Sequence, residues 1–164
     1  LAHMGARTPA RSQDQPHRGV DAGDVDGIRT MTKEKVVLER KPYEPWVTKQ
    51  GNQLAYHLPV ESGFVSLHFT FAITADHLAV LRANEERYYF LFAVLHQRYQ
   101  MQNPASAPKA DRHFDLVLFG DIPDVEQLLN LQDAEGNGAI SNLIRITMGR
   151  EPGPMRSGHW FTSL

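Results

Sequence analysis

From Phe64 to Ile73 the chain reads Phe-Val-Ser-Leu-His-Phe-Thr-Phe-Ala-Ile, with a large apolar residue at every second position from Val65 onward. Successive side chains of an extended strand point to opposite sides, so Val65, Leu67, Phe69, Phe71 and Ile73 share one face. Such a row needs a covering layer, and the next residues supply it. Thr74 as an N-cap with Asp76 in the first turn predicts a short helix through Leu78 and Leu81. Asn84-Glu-Glu-Arg predicts the start of a second helix over 85–101, with Tyr88, Leu91, Phe92, Leu95 and Tyr99 as one broad apolar stripe. Tyr89, Phe90, Ala93 and Val94 carry the apolar surface past that stripe. The helix is therefore either packed on two sides or left with a face for a partner.

The remaining elements follow from the same periodicities. In Asn52-Gln-Leu-Ala-Tyr-His-Leu58, residues Leu54, Tyr56 and Leu58 line one face. A loop holding Pro59 and Gly63 then predicts an antiparallel hairpin with Leu58 or Tyr56 opposite Val65. The other side of this hairpin shows Gln53, Ala55, His57, Ser66, His68 and Thr70. Val36, Val37 and Leu38 predict a short first strand, and the Pro42 and Pro45 segment a loop that Tyr43 and Trp46 pin to the core. Residues 102–113 read as a loop. Phe114 to Phe119 reads as a fourth strand ended by Gly120. Pro123 near a helix start, with Val125, Leu128 and Leu129 behind it, predicts a third helix, and Ile140, Leu143 and Ile144 a fourth. The glycines and prolines from about residue 149 predict an irregular tail on which His159-Trp-Phe161 can dock.

The sum is a single α+β domain over 31–164: a small, mainly antiparallel sheet of about four strands covered by about four helices. Residues 1–30 are almost devoid of large apolar side chains, the composition of a disordered leader or of a segment left by cloning, and Met31-Thr-Lys-Glu reads as a natural start. A chain of 164 residues suffices for one sizeable core. The absence of cysteine removes disulfides, thiolate nucleophiles and cysteine-bound zinc, and fits a reducing cytoplasm. A net charge of −2 gives no global reason to bind nucleic acid or anionic lipid. The apolar run from Tyr88 to Leu95 is far shorter than the roughly 18–20 residues that span a bilayer, so no membrane segment is expected.

Four constellations bear on function. Asp133-Ala-Glu-Gly-Asn-Gly has oxygen ligands at Asp133, Glu135 and Asn137 in the order of an EF-hand loop, since alternate side chains enter one cage and glycine makes the sharp turn. Position twelve of that loop is Ile144 where a bidentate glutamate is needed, so a helix-to-helix turn explains the same residues. His57, Ser66, His68 and Thr70 share the polar hairpin face, where two imidazoles leave a metal site half built but suit a ligand-binding or enzymatic face. The acids Glu85, Glu86, Asp121, Asp124, Asp133 and Glu135 sit at helix starts and loops, either as caps or as a surface for a basic partner. The surplus apolar residues Tyr89, Phe90 and Val94 suit a partner or a homodimeric scaffold. Neither a Gly-x-Ser-x-Gly elbow nor a phosphate-binding Gly-Lys-Ser/Thr loop is present, no catalytic residue stands out, and no cofactor is implied.

The segment Phe71-Ala-Ile-Thr-Ala-Asp-His-Leu78, followed by Leu81, Asn84, Arg87, Leu91 and Leu95-His96, resembles in layout the small α/β immunity proteins of bacterial contact-dependent and related toxin systems. In those a strand runs into a capped short helix and then a longer one. The resemblance covers about a quarter of the chain. It implies a non-enzymatic cytoplasmic protein that sequesters one cognate protein toxin by charge complementarity.

Overall fold

The computed structural model describes residues 32–162, so the expectation for residues 1–30 lies outside the described residues. Four strands form one antiparallel meander in the order β1 (Lys35–Glu39), β2 (Trp46–Gln50), β3 (Gln53–Ser62) and β4 (Val65–Ile73). Six α-helices follow: α1 (Ala75–Ala83), α2 (Glu85–Tyr99), α3 (His113–Phe119), α4 (Ile122–Glu135), α5 (Ala139–Met148) and α6 (Pro152–Arg156). The described residues form a small single-domain α+β fold.

The β3–β4 hairpin is longer than the sequence suggests. Tyr56 pairs with Phe71, Leu58 with Phe69 and Val60 with Leu67, which aligns both apolar rows on one face. Val65 instead pairs with Ser62 at the exposed end, correcting the expected pairing with Leu58 or Tyr56. Pro59 does not end the strand, although it cannot donate to a ladder. β2 pairs with β3 only as far as His57, so Pro59 lies on an open stretch of edge where a missing N–H leaves no ladder bond unmade. The turn falls at Gly63, whose φ of 62° places it in the left-handed region.

Helix α2 runs through the middle of the protein. Every residue from Tyr88 to Leu95 is buried. On one side Tyr99 packs against Phe69 and Phe71 of the sheet, and on the other Phe90 meets Trp160 and Phe161 edge-on. The breadth of its apolar surface is thus explained by packing on two sides. Tyr89, Phe90 and Val94 are fully used within the chain, which overturns their assignment to a partner face or a homodimer seam.

Three further corrections concern loops and the fourth strand. Trp46 does not pin a loop to the core but opens β2, and Tyr43, 90% exposed at φ 65°, pins nothing. The anchoring comes from α2 instead, where the Tyr88 hydroxyl donates to the Pro45 carbonyl at 2.5 Å and the Tyr89 hydroxyl to Glu44 at 2.9 Å. Burial, with Glu44 beside them, holds both phenols well above their ordinary range. Residues 113–119 form helix α3, not a strand: Phe114, Val117 and Leu118 are buried at helical spacing, while Leu116 and Phe119 face outward. The tail beyond 149 is ordered by α6 and by Trp160, whose backbone N–H donates to Glu126 at 2.6 Å and whose indole N–H donates to Asn130 at 2.8 Å.

Candidate functional site

Two surfaces are built from residues that the core does not use. The first is the outer face of the sheet. Strand alternation and register place Trp46, Thr48, Ala55, His57, His68 and Thr70 there. The imidazoles of His57 and His68 lie nearly coplanar, their centroids 5.2 Å apart, and both run parallel to the Trp46 indole at 4.9 and 5.3 Å. His57 Nδ1 and His68 Nε2 are 3.1 Å apart, His57 Nε2 and the Thr48 hydroxyl 2.8 Å, and Thr48 donates to Glu34 at 2.7 Å.

Counting protons fixes the direction of this chain. An ionised carboxylate only accepts, so the single Thr48 proton goes to Glu34. Thr48 then accepts from His57 Nε2–H, which leaves His57 Nδ1 as the acceptor for His68 Nε2–H. Every bond donates toward Glu34, and His68 stands at the exposed end. Burial lowers the proton affinity of His57, His68 lowers it further, and Glu34 opposes both. Thr70 lies 3.5 Å from His57 Nδ1, at the margin of a bond. Ser66 is not part of the group, since it donates to Glu61. The adjoining groove, about 660 Å³ and lined in part by Ala55, Thr70, Ala72 and Lys109, touches the cluster at Thr70 but not at either histidine. Sequence reading found both histidines and Thr70 but missed Glu34, Thr48 and Trp46. The alternation of Trp46, Thr48 and Gln50 around Val47 was the available signal.

The second surface lies between α3 and α4. Leu116, Phe119 and Leu131 are exposed, and a groove of about 320 Å³ is lined by Leu116, Gly120, Asp124, Gln127, Leu128 and Leu131. Asp121 and Asp124 are exposed at the turn between these helices and the start of α4, whereas Asp115 accepts from His77 Nε2–H of α1 at 2.6 Å and Phe119 stacks on that imidazole. Arg87 approaches from beneath, but its guanidinium is spent on the carbonyls of Val117 and Gly120 at 2.8 Å each. Between His113 and Ile144 the chain holds Asp115, Asp121, Asp124, Glu126, Asp133 and Glu135, and no lysine or arginine. Leu116, Leu128 and Leu131 give this groove an apolar lining, and Asp124 and Gln127 are its polar members.

The other expected residues divide by what they touch. Glu86 is buried, its carboxylate held by Arg150 at 2.6 Å and by the Thr162 N–H at 2.9 Å, and so is withdrawn from any partner surface. Asp133 is buried too. It accepts from the Ser141 N–H at 2.8 Å, satisfying a donor at the start of α5, while its carbonyl accepts from the Gly138 N–H. That is the work of a turn between two helices, and Glu135 and Asn137 point to solvent beside it. Among the described residues no three histidines, cysteines or acids are grouped to hold a metal. Glu85 is exposed at the start of α2, remote in sequence from the acidic stretch. No helix among the described residues is long and apolar enough to cross a membrane.

Comparison with protein-family models, with curated proteins and with solved structures gives no match for this chain.

Proposed function

We propose that this protein acts by binding a basic protein partner, as an immunity protein binds its toxin, through the groove between α3 and α4. The observation that carries the reading is the exposed pair Leu116 and Leu131 lining a groove with Asp124, next to exposed Asp121, on a stretch without a single lysine or arginine. Apolar side chains at the centre of such a patch supply affinity by leaving water. The acidic side chains beside them steer a cationic partner and exclude anionic ones. Of the residues expected at the interface, Asp121 and Asp124 remain in place, and Leu116 and Leu131 replace the apolar residues of α2. The partner in this reading is a cytoplasmic toxin whose cationic active site the patch covers.

The test pairs the purified protein with the product of the gene adjacent to its own, in a calorimetric titration at two salt concentrations. Asp121→Lys with Asp124→Lys should weaken binding by about tenfold or more and reduce its salt dependence. Leu116→Glu with Leu131→Glu should abolish it. Binding that both double variants leave unchanged would remove this groove from the interface.

A further inference from the structure

The outer face of the sheet carries a second device, independent of the α3–α4 groove. We propose that His57 and His68 act as one proton-sensing unit: with at most one proton added, the two rings stay joined and parallel to Trp46, and a second proton drives them apart and releases the indole.

The geometry dictates this behaviour. The two ring nitrogens are 3.1 Å apart, a hydrogen-bond distance that requires a proton on one nitrogen and a lone pair on the other. In the neutral pair His68 Nε2–H donates to His57 Nδ1. A first added proton has a place without breaking any bond, because it enters at His68 Nδ1, at the exposed end of the chain. The resulting imidazolium still donates to His57. It also lies parallel to the Trp46 indole, whose face favours a cation. A second proton has no such place. His57 Nε2 already carries a hydrogen bound to Thr48, so the proton must enter at His57 Nδ1, opposite the His68 N–H. Two N–H groups facing each other, on two cations with centroids 5.2 Å apart, cannot keep the bond or the shared plane.

The surrounding charges set the order of these events. Glu34, on the segment before β1, lies 3.6 Å from His57 Nε2, and Glu39 of β1 pairs with Trp46. Glu61 of β3 sits at the far end of the hairpin on Ser66, and Lys109 adjoins Thr70 at the other end. The sheet residues on this face are therefore acidic or neutral. The burial of His57 and the opposition between the rings both resist the second proton.

The test is nitrogen-edited NMR of the imidazoles from about pH 8 to about pH 4, with Trp46 emission followed in parallel. The wild type should show His57 and His68 responding together in two steps separated by about one pH unit or more, with the Trp46 signal changing at the second. Trp46→Phe identifies that signal against Trp160. His68→Asn should collapse the two steps into one at His57, and Thr48→Val should move the first step to lower pH. Two independent single-step titrations, with His57 unchanged in His68→Asn, would overturn the proposal. So would an indole signal that follows the first step. His68 is exposed, so its replacement tests the idea without endangering the fold.

Discussion

The carboxylate of Glu86, in the first turn of α2, and the guanidinium of Arg150, beyond α5, meet at 2.6 Å across 64 residues of sequence. Arg150 also donates to the Trp160 carbonyl at 2.6 Å, and Glu86 accepts from the Thr162 N–H, so one ion pair locks the tail over the second side of α2. Removing one partner strands a buried charge. Arg150→Ala should cost about 3 kcal/mol in urea unfolding, and Glu86→Gln less, because the amide oxygen still accepts. Limited proteolysis of Arg150→Ala should cut first within residues 150–162. Equal resistance in wild type and variant would show that the tail is held by Trp160 alone.

Phe90 is fully buried between α2 and the tail aromatics. Phe90→Ala should cost about 3–5 kcal/mol by the lost burial and the cavity left behind. Size-exclusion elution of the folded variant should match the wild type. A change in oligomeric state without loss of stability would restore the dimer seam that the packing denies.

Asp111 gathers Tyr99, Arg98 and His113 before α3: it accepts from the Tyr99 hydroxyl at 2.5 Å, from Arg98 at 3.0 Å and from His113 Nδ1 at 2.6 Å. Burial alone would raise its proton affinity, but the hydrogen bonds from His113 and Tyr99 outweigh it and hold the carboxyl well below its ordinary range. A carboxylate whose folded pKa is depressed contributes stability above its unfolded value of about 4 and loses it as pH falls through the folded one. Asp111→Asn should therefore be less stable by about 2 kcal/mol at neutral pH, with a deficit that shrinks below about pH 4. Urea midpoints measured across that range check the sign. A deficit that stays constant in acid would assign the loss to shape, not charge.

Gly63 holds the β3–β4 turn at φ 62°, and a Cβ there would meet nothing within 4 Å. Gly63→Ala should then cost only the left-handed backbone term, about 1 kcal/mol, and Gly63→Asn less. Denaturant unfolding of the two variants separates this from a steric effect. Equal losses would mean that side-chain contacts, not φ, set the turn.

The sequence reveals the hairpin row and α2 well because each has a long periodic signal: five alternating positions from Val65 to Ile73, and a stripe that recurs over three turns of helix. Residues 113–119 lack that length. Phe114, Leu116 and Leu118 alternate like a strand, yet Phe114, Val117 and Leu118 also recur like a helix, and a segment this short fits both periods. Tertiary context decides, through Asp111 bonding the His113 N–H and through the need to cover Tyr56 and Phe71 with the Phe114 ring. The candidate surfaces were legible only in part. His57, His68 and Thr70 share a face by parity alone, whereas the bonds from Glu34 and Thr48 depend on strand pairing, which single-chain periodicity does not encode. The acidic stretch from His113 to Ile144 was open to simple counting, but the exposure of Leu116 and Phe119 needed α3 to be a helix.

The two-sided burial of α2 has a consequence for how the chain is made. A polypeptide growing from its N-terminus completes the sheet and α2 long before Trp160 and Phe161 exist, so a nascent or stalled chain displays Phe90 and its neighbours as bare aromatic surface. That interval is the window in which a chaperone, or a second unfinished chain, meets this protein at its stickiest.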